Sequence, residues 1–216
     1  TFAPPMLIEL DNVIPDPLPK NIVESSKLWG KHFRVDTNSR VLVSAQSGMG
    51  KSTLLHLIYG LRKDYSGQIL IDGKFLREVS FQQWKDLRKQ SISMVFQDLR
   101  LFPHLTAHEN LQLIPEVNKT APSIDEMAKR LKVENCLKQL VSTLSHGQRQ
   151  RVAIIRALQK PFRLLMLDEP FSHLDEENQI YCSQLIQEVV EANEAGLILS
   201  SLGGTPTFSF GQKIFL

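Results

Sequence analysis

Cysteine is scarce, with Cys136 and Cys182 the two present in 216 residues. They are far apart, lack metal-type spacing and fall in segments that read as helices. That pattern excludes a disulfide scaffold and a cysteine metal site, and it predicts buried thiols in a reducing compartment. No apolar run approaches the ~20 residues of a membrane span. The start, Thr1-Phe-Ala-Pro-Pro5, has neither the basic region nor the apolar stretch of a signal peptide, so a chain soluble on its own is expected. An excess of one charge is missing too: 25 Lys and Arg against 23 Asp and Glu leave a net +2. Such a balance gives no general drive toward nucleic acid or anionic membrane. Internal repeats and low-complexity tracts are absent. The remainder, 42% hydrophobic and 22% charged, is that of an ordinary globular protein long enough for one domain with a subdomain.

Against this plain background one stretch stands out. Arg40-Val-Leu-Val-Ser44 is a short apolar run suited to a buried strand, and Leu54, Leu55, Leu57, Ile58 and Leu61 then recur at helical spacing. Between them lies Ala45-Gln-Ser-Gly-Met-Gly-Lys-Ser-Thr53. A strand, a small-residue turn and a helix form a phosphate cradle. Backbone N–H groups of Ser47, Gly48, Met49, Gly50, Lys51, Ser52 and Thr53 can point inward at phosphate oxygens, the helix N-terminus adds partial positive charge, and Lys51 reaches the outer phosphates. The full pattern begins with glycine where this chain has Ala45, a substitution that is tolerable if φ there is negative. A Gly-Lys-Ser turn can also be an ordinary helix start.

In chain order, Met6–Leu10 reads as a first strand, and Pro15, Pro17 and Pro19 then predict a loop until about Ile22. The basic, aromatic stretch Lys27–Arg34 is either a contact for an adenine ring or RNA, or a half-buried strand with solvated lysines. Gln68–Ile71 reads as a strand turning at Asp72-Gly73, Phe81–Lys89 as a helix, and Ser91–Phe96 as a buried strand ending at Gln97. Thr106 is a plausible N-cap, and the pattern from there to Val141 is helical with breaks at Pro115 and Pro122. Leu144–Gln148 has loop character before a helix over Arg149–Leu158. Arg163–Leu167 is an apolar strand with Asp168 and Glu169 at its carboxyl end, where open α/β sheets place their chemistry. Asp175 can cap a helix that stops at Gly196, followed by strands at Leu197–Ser200 and Lys213–Leu216.

The order of these segments carries a resemblance. Phosphate loop, Gln97 after a strand, Leu144-Ser-His-Gly-Gln148, Leu164-Leu-Met-Leu-Asp-Glu-Pro170 and Ser172-His-Leu-Asp175 resemble the nucleotide-binding subunit of ATP-binding cassette (ABC) transporters from about Met6 to Leu202. The connecting stretches 94–106 and 148–158 are similar as well. The resemblance implies an α/β P-loop NTPase core with a parallel sheet, an antiparallel β subdomain and an inserted helical subdomain. The core would take about 1–97 and 149–216, and the helical part with the signature loop about 98–148. It also implies Mg²⁺-dependent ATP hydrolysis. Lys51 and the amides of 48–53 would hold the β- and γ-phosphates, Ser52, Gln97 and Asp168 would serve Mg²⁺, and Glu169 would be the general base with Gln97 as a metal and water contact. Ser145, Gly147 and Gln148 would close over the ATP of a second cassette, identical or paralogous. Membrane-spanning subunits on separate chains, docked on the helical insert, would hold the protein at the cytoplasmic face of the membrane. No nucleic-acid partner is expected.

Departures from the family pattern qualify this. His146 replaces the first of two glycines in the signature loop, so it is either an exposed side chain turned away from phosphate or a source of pH sensitivity. Leu202 stands where the family places a histidine that contacts the γ-phosphate, and no histidine follows His173. No aromatic between Phe2 and Trp29 matches the family's adenine-stacking residue. Two alternatives to a transporter ATPase therefore remain. One is a nontransport ABC ATPase, although a basic stripe, a coiled-coil insertion and tandem cassettes are all missing. The other is a degenerate cassette that binds ATP and switches a partner with slow or no hydrolysis. Loop features are similar both to bacterial importers and to the lipoprotein-release or macrolide-export type, which leaves cargo and direction open.

Overall fold

The computed structural model describes residues 6–36, 39–202 and 208–216. Two sheets are built from strands β1 (Leu7–Pro15), β2 (His32–Asp36), β3 (Arg40–Ser44), β4 (Tyr65–Ile71), β5 (Lys74–Phe75), β6 (Ile92–Val95), β7 (Leu164–Asp168), β8 (Gly196–Ser201) and β9 (Gln212–Phe215). The helices are α1 (Lys20–Ser25), α2 (Lys51–Ile58), α3 (Phe81–Gln90), α4 (Ala107–Gln112), α5 (Ile124–Arg130), α6 (His146–Gln159) and α7 (Glu176–Ala192). A four-stranded antiparallel sheet has the order β2-β1-β4-β5, and a five-stranded parallel sheet has the order β6-β7-β8-β3-β9. The expected α/β architecture, with a parallel core sheet, an antiparallel β unit and helices inserted after β6, is the one observed.

The parallel strands are apolar along their whole length because both faces are covered. Side chains alternate between two cores. Leu42, Leu165, Leu167, Leu197 and Leu199 point into one with α6 and α7. Val41, Val43, Leu164, Met166, Ile198 and Ile214 point into the other with α2 and the antiparallel sheet. Both thiols are buried and unbridged, and burial pushes that of Cys182 up to about 12, well out of reach of thiolate chemistry. Among the described residues no helix is long and apolar enough to cross a membrane.

Several boundaries depart from expectation. The first strand continues past Leu10 to Pro15, through a bulge between Asp11 and Ile14 where Asn12 takes φ 52°. Pro15 ends the strand, where a missing N–H is tolerated. Helix α1 then forms directly after Pro19, so that its first residues fall inside the segment expected to be a loop. Of the basic aromatic stretch only residues 32–34 are strand, the start of β2, and Trp29 is fully buried. Helix α6 starts at His146, not Arg149, because Ser145 caps it. Its hydroxyl accepts from the Gln148 N–H at 3.2 Å, and the Ser145 N–H donates to Gln148 Oε1 at 2.8 Å. Helix α7 stops at Ala192. Glu194 supplies the left-handed turn at φ 50°, and Gly196 is already strand. The cap at Thr106 forms as expected, with Glu109 completing a capping box, and Asp175 Oδ1 accepts from the Asn178 N–H at 2.8 Å.

Candidate functional site

The carboxyl ends of the parallel strands converge on one edge of the sheet, and each delivers a functional segment there. From β3 the chain enters the 45–50 loop and α2. Gly48 (φ 82°) and Gly50 (φ 97°) take left-handed conformations, and a Cβ on Gly50 would lie 3.2 Å from the Trp29 indole. Trp29 is the floor of the loop, its Nε1 donating to the Met49 carbonyl at 3.4 Å. Ala45 is not among the described non-glycine residues with positive φ, so its methyl group carries no strain there.

Lys51, 5% exposed, is less exposed to solvent than any other Lys or Arg among the described residues. Its ammonium donates to the carbonyls of Ala45 at 3.0 Å and Gln46 at 3.2 Å, and it pairs with Glu169 Oε1 at 3.2 Å. Next to it, Ser52 Oγ donates to Gln97 Oε1 at 3.4 Å, which ties the start of α2 to the segment after β6. The structure thus brings together Lys51, Ser52, Gln97 and Glu169 from three separate elements.

Asp168 ends β7 and is 1% exposed. Its Oδ1 accepts from Ser200 Oγ at 2.6 Å, while its Oδ2 is buried without a partner. A buried orphan carboxylate oxygen is costly unless it serves a cation or water. The hydroxyl of Ser52, the amide of Gln97 and this oxygen are hard oxygen donors of the kind Mg²⁺ takes, with water completing its shell. The residues present fit that ion.

Glu169 has φ 48°, an uncommon conformation for a non-glycine residue. Hydrogen bonds pin it on both sides. Its N–H donates to Ser200 O at 3.2 Å and Ser200 Oγ at 3.1 Å, and its carbonyl accepts from Gln150 Nε2 at 3.1 Å and Ser172 Oγ at 3.2 Å. Ser200 and Gln150 are not singled out by the sequence, and Ser172 enters it only as the first residue of the Ser172–Asp175 segment. Their signal was nevertheless present: a serine closing an apolar strand, and a glutamine on the buried face of a helix.

The signature segment lies elsewhere. Among the described residues no hydrogen bond or ion pair links Ser145, Gly147 or Gln148 to the phosphate loop. Gly147 packs instead on the loop after Glu169: a Cβ on it would lie 3.1 Å from the His173 carbonyl oxygen. His146 is partly buried, not exposed, with its ring centroid 3.8 Å from that of His173 at an interplanar angle of 35°. Burial first, then His173 and Arg149, push its pKa below 6.5. Leu202 is 57% exposed just after β8, and Gly203 and Gly204 lie outside the described residues.

A family model for ABC transporters matches residues 29–172. The chain belongs to the ABC transporter family. It is 36% identical over 191 residues to the thiamine import ATP-binding protein ThiQ of Haemophilus ducreyi, covering 85% of each chain. The ThiQ protein of Haemophilus influenzae is 34% identical over 187 residues, covering 83% of this chain and 84% of the relative. Among solved structures, the dimeric bacterial ABC transporter cassette MJ0796 superposes with a TM-score of 0.74 at 27% identity, covering 91% of this chain and 88% of that one. The same cassette in a post-hydrolysis state bound to ADP and Pi gives 0.71 at 28% identity. As an ABC cassette this protein binds and hydrolyses ATP as the energising subunit of a transporter.

Proposed function

We propose that the edge formed by Lys51, Ser52, Gln97, Asp168 and Glu169 holds MgATP and hydrolyses it between two cassettes. The observation that carries this reading is the Lys51–Glu169 pair, a desolvated cation and the acid after β7 meeting at 3.2 Å at the mouth of the phosphate loop. The amides of Ser47, Gly48, Met49, Gly50, Lys51, Ser52 and Thr53 cradle the β- and γ-phosphates, and Lys51 neutralises the outer ones. Ser52, Gln97 and Asp168 would hold Mg²⁺, which would offset the negative charge of the phosphates. The γ-phosphate takes the place of the Glu169 carboxylate on Lys51. Glu169, held by its backbone bonds, then turns to the attacking water as general base. ATP hydrolysis thereby begins only when a triphosphate has released the base.

Ser145, Gly147 and Gln148, not hydrogen-bonded to their own phosphate loop, serve the ATP of a second cassette, a copy of this chain or a paralogue, as the dimeric form of MJ0796 supports. Residues 98–148 act as a helical subdomain against the core. Its boundary with α3 forms an apolar groove floored by Phe81, Ile114 and Pro115 and rimmed by Lys85, Arg88 and Lys160. Phe81 is 85% exposed, and burial with Arg88 beside it brings the Lys160 pKa down to about 8. This groove receives an apolar segment with acidic residues from a membrane-spanning partner, which places the cassette at the cytoplasmic face. The import roles in the names of the quoted relatives support import as the direction.

ATPase assays on the protein with its co-purified membrane partner test the reading: wild type hydrolyses MgATP and Glu169→Gln does not, whereas equal rates refute it. A second reading, an ATP-dependent switch with slow or no hydrolysis, is favoured by Leu202 at the end of β8, where no imidazole is available to the γ-phosphate.

A further inference from the structure

We propose that Arg156 is a positioning residue for Gln97: its guanidinium fixes the turn that presents the Gln97 amide to Ser52 at the Mg²⁺ site. This rests on the part given to Gln97 in the nucleotide site proposed above and adds what holds that side chain in place.

Gln97 has little of its own to hold it. Its side chain is exposed beyond the end of β6, and Ser52 Oγ, at 3.4 Å, is its one side-chain partner among the described residues. A bond near the outer limit of hydrogen-bond distance cannot place an amide, so the main chain must. That main chain is a tight turn. The Leu99 N–H donates to the Phe96 carbonyl at 2.9 Å, and Leu99 and Arg100 take φ of 60° and 46°, left-handed values that non-glycine residues seldom adopt. A turn needed only to reverse the chain is served by glycine or asparagine at such positions. Two larger residues in succession persist there only where their surroundings hold them.

Arg156 does the holding. From the last turn of α6 its Nη2 donates to the Leu99 carbonyl at 2.7 Å and its Nη1 to the Arg100 carbonyl at 2.8 Å. A planar fork on two successive carbonyls fixes the orientation of the turn as well as its distance, which one ammonium could not do. Arg156 is half-buried and forms no ion pair among the described residues, so its cation serves these carbonyls and not an acid. The end of α6 is itself fastened to β6: Ser93 Oγ donates to the Ala157 carbonyl at 2.7 Å, and Lys160 Nζ to the Ile92 carbonyl at 2.6 Å. The clamp is thereby referred to the strand from which Gln97 emerges.

The other side of Gln97 is fixed as well. The Arg100 guanidinium lies 3.8 Å from the centroid of the Phe96 ring, and that buried ring meets Tyr59 edge-on at 5.4 Å. Tyr59 is the C-cap of α2, whose first turn carries Lys51 and Ser52. Gln97 is thus the exposed point of a turn gripped before and after it, and of these grips Arg156 is the one that reaches the left-handed residues.

Calorimetric titration of the full chain with ADP, once with Mg²⁺ and once with EDTA, tests the assignment, because only the Mg²⁺ arm reads the Gln97 amide. Arg156→Met is expected to weaken ADP binding about tenfold with Mg²⁺ and to leave it at the wild-type value with EDTA. In a Gln97→Ala background the same substitution is expected to cause no further loss with Mg²⁺. Arg156→Lys keeps the charge without the fork. It is expected to behave like the methionine variant, and it carries the test should Arg156→Met not fold. Equal loss in both arms, an undiminished effect in the Gln97→Ala background, or wild-type affinity with Mg²⁺ in either variant overturns the proposal. Gln97→Ala and Lys51→Ala separate this from failure of the site itself. If Gln97→Ala keeps wild-type affinity with Mg²⁺, or Lys51→Ala keeps it in both arms, the site as proposed falls and the role of Arg156 falls with it.

Discussion

The ammonium of Lys51 and the carboxylate of Glu169 form a pair 3.2 Å apart in which both side chains are largely removed from water, at 5% and 11% exposure. An ion pair so placed competes with any phosphate that approaches the lysine. Removing the charge from Glu169 therefore relieves competition as well as removing the base. Glu169→Gln is expected to bind ADP more tightly than wild type by about fivefold, ~1 kcal/mol, and to lose hydrolysis. Equilibrium binding of ADP checks the first part, since ADP reports affinity without turnover. Unchanged ADP affinity would mean that the pair offers no resistance to nucleotide.

Loss of the lysine acts in the opposite direction. Lys51→Ala leaves Glu169 with no cation and the phosphates with no main counter-charge, so ATP binding is expected to disappear at millimolar ATP. The check is calorimetric titration, and unchanged nucleotide affinity in the alanine variant would remove the whole site.

Ser200 bridges the two acids: its hydroxyl donates to Asp168 at 2.6 Å and accepts from the Glu169 N–H at 3.1 Å. Ser200→Ala strips a buried carboxylate of its one donor among the described residues and loosens the left-handed turn at Glu169. The expected outcome is a fall in kcat of about tenfold with KM for ATP little changed, because positioning of the reacting groups suffers more than phosphate binding. A cost of ~1–3 kcal/mol in stability accompanies the unsatisfied oxygen. A change confined to KM would contradict the positioning role.

The sequence made the phosphate loop and the Asp168–Glu169 pair legible because each sits where an apolar strand ends in small or acidic residues, a pattern set by local chemistry. What it left unread depends on neighbours distant in the chain. Ser200 is 31 residues from Glu169, and Gln150 is 19 residues from it. Neither relationship has a local signature. The loop character of Leu144–Gln148 hides the start of α6 at His146, because it is the reciprocal bonds of Ser145 and Gln148 that make that segment a helix start. The prolines at 15, 17 and 19 mask helix α1, although Pro19 lies just outside the helix, where it does no harm.

Gly60 carries a stability prediction with a steric cause. It takes φ 71° where the chain leaves α2, and a Cβ there would sit 2.3 Å from Cζ2 of Trp84, the buried tryptophan of α3. Neither backbone nor the indole can give way cheaply. Gly60→Ala is expected to destabilise the fold by about 2–4 kcal/mol, combining left-handed strain with overpacking. Urea unfolding followed by tryptophan fluorescence measures it. A loss below about 0.5 kcal/mol, the scale of an ordinary surface substitution, would show that the α2–α3 junction is looser than its geometry.

The close, tilted pair of His146 and His173 makes stability depend on pH, with a sign set by the lowered His146 pKa. Burial, His173 and then Arg149 lower the folded pKa of His146 below 6.5, so the folded state resists a proton that the unfolded chain accepts near 6.5. Above that pH both states are neutral and the residue contributes no slope. As pH falls from 6.5 toward the lower folded value, the unfolded chain binds more protons and stability declines, until below the folded value the loss is complete. His56, also lowered chiefly by burial, adds a decline of the same sign, so the wild-type slope alone does not isolate His146. The difference between wild type and His146→Asn does. The variant is expected to lose less stability between pH 7.5 and 5 in urea unfolding, with the two proteins differing least above pH 7. Parallel pH profiles would show that the imidazole keeps its proton equilibrium unaltered on folding, and the contact between the signature helix and the loop after Glu169 would then carry no charge sensitivity.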